Sequence, residues 1–423
     1  VPPTGSIMIN GGATYTGSVS VSLTLSADDG AGSGVADMRF SNDNATWSDW
    51  QAYTTIWDWT LIGGNGLKTV YVQYRDEVGN VSTGVISDTI TLDTSLPSCD
   101  AITPTTPNPT GGTTVAFSVG FNKTVVNFDT VNDLVITKTD SLAYSTVTIS
   151  GGGQAYTAVF TGITGDGSLQ IAVSTSSGVQ DLASTALVSS VSSEWVVVDH
   201  TGPSGTLVIN EGEMYANSLL ATLTLSADDG TGCGVADMQF SNDNATWSGW
   251  EPYGTSKSWG LASGNGVRTV FVQYRDGVGN VSSALISDTI ILDTAEPVFT
   301  GITATPATAV MEDEVTLMFH ASEPLIAEPS VTVNGHAADH VSGKDGADYV
   351  YSYTVLDPSQ DPIGPAEIEI TGEDLAGNFG AVTDSSALII EEKNTVPAAS
   401  LPILLVLTGL CAAAGGVMLR NRR

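Results

Sequence analysis

Basic residues, histidine and cysteine are all scarce in this chain. Its 423 residues hold 13 Lys and Arg together, four His and three Cys, against 46 Asp and Glu, for a formal net charge of −33. Such an excess of negative charge repels nucleic acid and anionic lipid headgroups, so no nucleic-acid partner is expected. Cys99, Cys233 and Cys411 fall in three different segments, which excludes a disulfide framework. Modules without disulfides must be stabilised by core burial, and about a hundred residues each is enough for that. There is no phosphate-binding loop, Cys-x-x-Cys pair or basic stripe. The histidines are His200, His320, His336 and His340, and the two repeated modules hold none apart from His200 at a boundary, so no Ser-His-Asp set can be argued. His336 and His340 have the spacing of a zinc pair only on a helix, and "NGHAADH" reads as a loop after a strand and a turn. A non-enzymatic protein is the expectation.

Strongly hydrophobic runs of membrane-spanning length are absent too, with one exception. Leu401 to Leu419 reads "LPILLVLTGLCAAAGGVML", and "RNRR" follows at residues 420–423. Nineteen such residues suffice to cross a bilayer as a helix. Basic residues stay cytoplasmic, so the long acidic part is expected outside, held to the membrane through its C-terminus.

What fills the rest is alternation. Val19, Val21, Leu23 and Leu25 alternate with Ser20, Ser22 and Thr24, and Val70, Val72 and Tyr74 with Tyr71 and Gln73. Val115, Phe117 and Val119, then Val315, Leu317 and Phe319, then Ala366, Ile368 and Ile370 follow the same rule. Period two with polar partners means one buried and one wet face. This regular 41% hydrophobic content rules out disorder for most of the chain. Short strands between Gly, Asn and Asp turns predict an all-β chain of tandem antiparallel β-sandwiches, followed by one C-terminal transmembrane helix.

The chain also repeats itself. Residues 25–50 and 225–250 differ only at 31, 33, 39 and 49 in the first copy's numbering, and Cys233 stands where the first copy has Ser33. Asp93-Thr94 precedes Pro97, Asp199-His200 precedes Pro203, and Asp293-Thr294 precedes Pro297. Cutting at these phrases gives modules at 1–96, 97–199, 200–296 and 297–392. A linker at 393–400, the span at 401–419 and a basic tail at 420–423 follow. The first and third modules are one repeat type, and the second and fourth have their own wording.

The phrases "GSGVADMRFSNDNATWSDW" and "TVYVQYRDEVGN" resemble the Ig-like repeats of large bacterial surface proteins. "TPNPTGGTTVAFSVGFNKTV" with "TGDGSLQIAV" resembles a second, adhesin-like class, and "EVTLMFHASEPL" with "ITGEDLAGN" a third. "NTVPAAS", the apolar span and the Arg-rich end together resemble C-terminal sorting signals of the PEP-CTERM and IPTL-CTERM kind, with Val396 and Pro397 matching the motif. The resemblance implies a secreted, surface-displayed protein, a role in cell adhesion and an exosortase-type processing peptidase as a partner.

"YRDEVGN" at 74–80 returns as "YRDGVGN" at 274–280 and, more loosely, as "GEDLAGN" at 372–378. A carboxylate at a strand end can accept backbone N–H groups, and Gly and Asn tolerate positive φ. Asp76, Gly79 and Asn80 are therefore read as a turn, as are Asp276, Gly279 and Asn280, and Asp374, Gly377 and Asn378. The competing reading is a Ca²⁺ site. Asp28 and Asp29, or Asp228 and Asp229, sit in Gly-rich loops, and Asp76, Asp276 or the junction residues Asp93 and Asp293 would complete an oxygen ligand set. Ca²⁺ is the only cofactor suggested. Trp47, Trp50 and Tyr53 recur as Trp247, Trp250 and Tyr253 and are expected in the core. Trp57 does not recur and is the candidate surface aromatic. The resulting expectation is a surface stalk. Its rival is a set of carbohydrate-binding or accessory modules of a surface hydrolase, with polysaccharide or another cell surface as partner.

Overall fold

A computed structural model describes residues 1–344 and 348–393. Their regular structure is β, apart from single 3₁₀ turns such as Asn10–Gly12. Among the described residues no helix is long and apolar enough to cross a membrane. The expected span at 401–419, the basic tail and the motif residues Val396 and Pro397 lie outside the described residues.

The chain packs as two compact units. The first comprises Val1–Glu213, Leu220–Ala262 and Arg268–Ile290. It opens with a sandwich of two sheets. One places strand Ser20–Asp28 between Thr4–Ile9 and Ile56–Thr60. The other runs in the order Tyr15–Thr16, Ile86–Leu92, Gly66–Asp76, Val35–Ser41, Gln51–Ala52. Alternation decides which residues meet between them. Val21, Leu23 and Leu25 point in from one sheet, and Met38, Phe40, Val70, Val72 and Tyr74 from the other. A second core follows around Phe117, Phe160, Leu169 and Ile171, between the sheet of Ser98–Pro104, Thr114–Val126 and Thr146–Thr161 and the sheet of Leu134–Lys138, Gly167–Val173 and Val196–Val198. Strands Ser204–Ile209, Leu220–Asp228 and Ser256–Gly260 then repeat the pairing of the first sandwich.

The second unit comprises Met214–Leu219, Ser263–Val267 and the chain from Ile291 onward. Its core gathers Val315, Leu317, Phe319, Tyr351, Ile368 and Ile370. Phe299–Thr305, Glu314–Ala321 and Asp348–Thr354 form one face, with Ser330–Val333, Ile368–Glu373 and Phe379–Asp384 in a facing sheet.

The structure corrects the sequence reading in several places. The sheets are not purely antiparallel: Tyr15–Thr16 pairs in parallel with Thr91–Leu92, and Thr308–Val310 with Ile389–Glu391. The first pairing covers an edge of the second sheet before the chain crosses into the first, and the other belongs to a separate three-stranded sheet completed by Gly364–Pro365. Val19 is exposed, and its strand begins at Ser20. After the Asp76 corner the strand resumes at Ile86, since Val81 makes only an isolated bridge to Arg75. His336 and His340 lie on short strands, His336–Ala337 and Asp339–Ser342, rather than in a loop.

Candidate functional site

The corner begins where strand Gly66–Asp76 delivers a carboxylate to its own turn. Asp76 Oδ1 accepts the N–H groups of Val78 (3.0 Å) and Asn80 (2.7 Å), and Oδ2 accepts Asn80 Nδ2 at 2.6 Å. Gly79 takes φ 94°, where a side chain would be strained. Burial opposes the charge, but the bonds from Asn80 and Val78 hold the Asp76 pKa below the usual carboxylate range. Asp276 accepts the N–H groups of Val278, Gly279 and Asn280 at 2.7–2.9 Å, and Asp374 those of Ala376 and Asn378 at 2.8 and 2.9 Å. Asp181 does the same with Ala183 and Thr185.

The corner has a second task that its letters did not reveal. Asn280 Nδ2 also donates to the carbonyl of Asp199 (3.0 Å), and Asn378 Nδ2 to that of Asp293 (2.8 Å). Asp199 and Asp293 stand just past the final strands Val196–Val198 and Ile286–Leu292. The side chain that closes one turn therefore also grips the end of the preceding strand.

A third residue faces each of these pairs, and strand register identifies it. Inward residues Val115, Phe117, Val119 and Phe121 lead by alternation to Lys123. Val315, Leu317, Phe319 and Ala321 lead to Glu323, and Ala221, Leu223 and Leu225 lead through Ala227 to Asp229. For Lys123 and Glu323 the preceding residues make matching contacts. Asn122 Oδ1 accepts Ser98 N–H (3.0 Å), and Ser322 Oγ accepts Val298 N–H (2.8 Å).

At the first junction Lys123 Nζ lies 2.6 Å from Asp93 Oδ2, 2.7 Å from Asp181 Oδ2 and 2.9 Å from the Ser95 carbonyl. Burial works against the ammonium, yet its bonds to Asp181 and Asp93 carry its pKa above the ordinary value. At the second, ligand atoms of Asp199, Asp229, Cys233 and Asp276 lie within 4.8 Å of one another. Asp199 and Asp276 are buried, and Asp229 Oδ1 is shut from solvent with no hydrogen-bond donor. Burial, with the nearby carboxylates of Asp199, Asp276 and Asp166, pushes the Asp229 pKa up, although the N–H of Gly234 pulls the other way. Burial and then Asp199 push the Cys233 thiol up to about 12. At the third, oxygens of Asp293, Glu323 and Asp374 also lie within 4.8 Å of one another. Burial, then Asp293 and Asp374, raise the Glu323 pKa.

Of the Ca²⁺ ligands expected from sequence, Asp229, Asp276 and Asp293 fall in these clusters. Asp93 is held by Lys123. Asp28 and Asp228 are exposed and cap the N–H groups of Gly30 and Gly230 (2.8 and 3.1 Å). In the first module Asp29 Oδ2 accepts Gly34 N–H at 3.0 Å and its Oδ1 is buried without a donor. Asp199, Cys233, Glu323 and Asp374 were missed as members of a donor set; counting strand register to one shared position would have found Glu323.

The aromatic expectations reverse in part. Trp57 is half-buried: it packs on the core and stacks with Phe40, ring centroids 6.1 Å apart. Trp47 and Trp50 instead lie on the outer face of their sheet, with Arg39 over both rings at 5.1 and 4.5 Å and Arg75 over Trp50 at 4.4 Å. Alternation along Ile56–Thr60 turns residues 57 and 59 inward. Trp47 and Trp50 sit in the connection after Val35–Ser41, where alternation gives no guide.

No family model matches the chain, and no curated protein matches it. Solved structures do. A tetra-tandem repeat from the extending region of a large adhesion protein is 20% identical, covering 91% of this chain and 99% of its own, with a TM-score of 0.35. The Escherichia coli adhesin FdeC is 16% identical over 69% of this chain and 98% of its own, with a TM-score of 0.36. A Ca²⁺-stabilised adhesin with which an Antarctic bacterium binds ice is 16% identical, covering 92% and 100%, with a TM-score of 0.34.

Proposed function

We propose that this chain is a non-catalytic spacer displayed outside a cell, built of four Ig-like modules and held by its C-terminal apolar segment. The observation that carries the reading is the two-sided corner. Asp276 and Asp374 spend their oxygens on their own turns, while Asn280 and Asn378 hold the terminal carbonyls of Asp199 and Asp293. A carboxylate whose oxygens are taken up by the N–H donors of its own turn is a structural part. The resemblance of the module sequences to bacterial surface repeats supports an external location, and residues 401–423 supply the features of an anchor.

The test is display. The full chain, tagged ahead of Val1 and expressed in a Gram-negative host, should be shaved from intact cells by added protease, and ending the chain at residue 393 should release it from the membrane. Protection of the tag in intact cells, with membrane association unchanged by the truncation, would overturn the reading.

A second reading has an observation of its own. Trp47 and Trp50 on an outer face, backed by Arg39 and Arg75, offer aromatic and charged contacts to a polysaccharide. A glycan array on which the chain binds, and on which Trp47→Ala and Trp50→Ala do not, would establish it.

A further inference from the structure

One sheet edge is left open. Strand Thr146–Thr161 is the outermost of its sheet, beside Thr114–Val126, and among the described residues no other strand pairs with it from outside. The strand folds back on itself. The N–H of Ser145 donates to the Thr161 carbonyl at 2.9 Å, and the hydroxyls of Thr146 and Thr161 lie 2.6 Å apart. Its outer limb is therefore residues 146–150, "TVTIS". Thr146, Thr148 and Ser150 are exposed, while Val147 and Ile149 lie half-buried against the second core.

The free N–H and C=O groups of a sheet edge are a template for another strand, so edges are usually blunted. Other long edges of this chain are. Ile56–Thr60 carries Asp58, and Ser256–Gly260 carries Lys257. Thr4–Ile9 is uncharged, but Asp88 Oδ2 takes the N–H of Ile9 at 2.7 Å. Phe299–Thr305 is interrupted by an irregularity between Thr300 and Thr303. Thr146–Thr161 has neither charge nor proline in its sixteen residues, and its outer limb is almost wholly β-branched.

We propose that this edge pairs with the same edge of a second copy, antiparallel, about a twofold axis at Thr148. Two features select that partner. First, the limb reads alike in both directions. With Thr148 opposite itself, Val147 faces Ile149 and Thr146 faces Ser150, so apolar meets apolar and hydroxyl meets hydroxyl. A shift of one residue would set Val147 against Ser150 and Thr148 against Ile149, losing every match. Second, a net charge of −33 keeps copies apart, and a limb without charge is where two of them can close. The two sheets would join into one and cover what Val147 and Ile149 leave open. The inference goes beyond the spacer reading and does not depend on it. So short a pairing is small beside the roughly 1,600 Å² of a standard interface, so it is weak in dilute solution. Crowding of many chains on one surface would raise their effective concentration.

Sedimentation velocity of the full chain in detergent tests the pairing. The wild type should pass from monomer to dimer as protein concentration rises, and salt, which screens the repulsion, should strengthen the dimer. Thr148→Lys sets two ammonium groups against each other at the axis and should leave a monomer at every concentration, folded by circular dichroism. Thr148→Cys reads the register. A short thiol cross-linker should join two copies through residue 148, with the linked peptide identified by mass spectrometry. Thr137→Cys, exposed on strand Leu134–Lys138 of the other sheet, should not link to itself. A wild type that stays monomeric, or a dimer that salt dissolves, would overturn the proposal. So would a folded Thr148→Lys chain that dimerises as the wild type does, which would assign the contact to the apolar tail or another surface. Thr148→Cys linking no faster than Thr137→Cys would overturn the twofold register.

Discussion

Tyr74 shows how one hydroxyl ties two sheets together. Its ring is fully buried, and its OH donates to the Ser6 carbonyl at 2.7 Å, as Tyr274 does to Thr206 at 2.8 Å. Tyr74→Phe keeps the ring and strands that carbonyl, so it should lower stability by about 1 kcal/mol, measured by urea denaturation. Buried tyrosines also set a pH limit. Burial, then Glu328 and Tyr349, push Tyr351 up to about 12, while its OH donates to the Pro329 carbonyl. The unfolded chain would ionise near pH 10. A folded pKa above the unfolded one means this contribution is complete below pH 10 and is lost as pH rises toward about 12. Denaturation midpoints should therefore be flat from neutrality to about pH 9.5 and fall above it. A Tyr351→Phe variant should show a shallower alkaline fall, and an unchanged one would count against this cause.

At the scale of strands, glycine does what the alternation pattern cannot express. A Cβ on Gly205 would sit 2.4 Å from the Ser226 carbonyl and 2.6 Å from the Tyr274 ring, and Gly5 repeats this against Ser26 and Tyr74. Gly205→Ala should therefore cost about 1–3 kcal/mol by overpacking, seen as an earlier urea midpoint. The two tryptophan classes make a paired forecast. Trp57→Ala removes a ring stacked on Phe40 and should cost roughly 3 kcal/mol, whereas Trp47→Ala loses a cation–π contact worth about 1 kcal/mol. The inward strand positions could be read from sequence because period two is a property of the local chain: Val21, Leu23, Val70, Val72 and Tyr74 were all placed inward and are buried. The corner turns could be read for the same reason, since Asp76 bonds to residues within four positions of itself. Lys123 with Asp93 and Asp181, or Asp229 with Asp199, could not, because those partners are 30 to 58 residues away. Nor could Trp50 under Arg75, since the arginine comes from a strand that pairs only after folding.

For the whole molecule the question is how far one core depends on the next. The first core, around Leu23 and Phe40, and the second, around Phe117 and Phe160, share no residue. What couples them at the junction is polar: Lys123 across Asp93 and Asp181. Hydrophobic burial scales with apolar area removed from water, and most of that area lies within each core. A core cavity should therefore be felt locally. Leu23→Ala removes a side chain with no exposed surface and should cost about 3 kcal/mol. In scanning calorimetry of the full chain this should move one transition down by several degrees and leave that of the Phe117 core in place. Lys123→Gln should act differently. It leaves Asp181 buried without its cation and draws on both sides of the junction, so the transitions of both cores should shift together. If Leu23→Ala lowers both transitions equally, the two sandwiches unfold as a single cooperative body and the junction carries far more energy than one ion triad can supply.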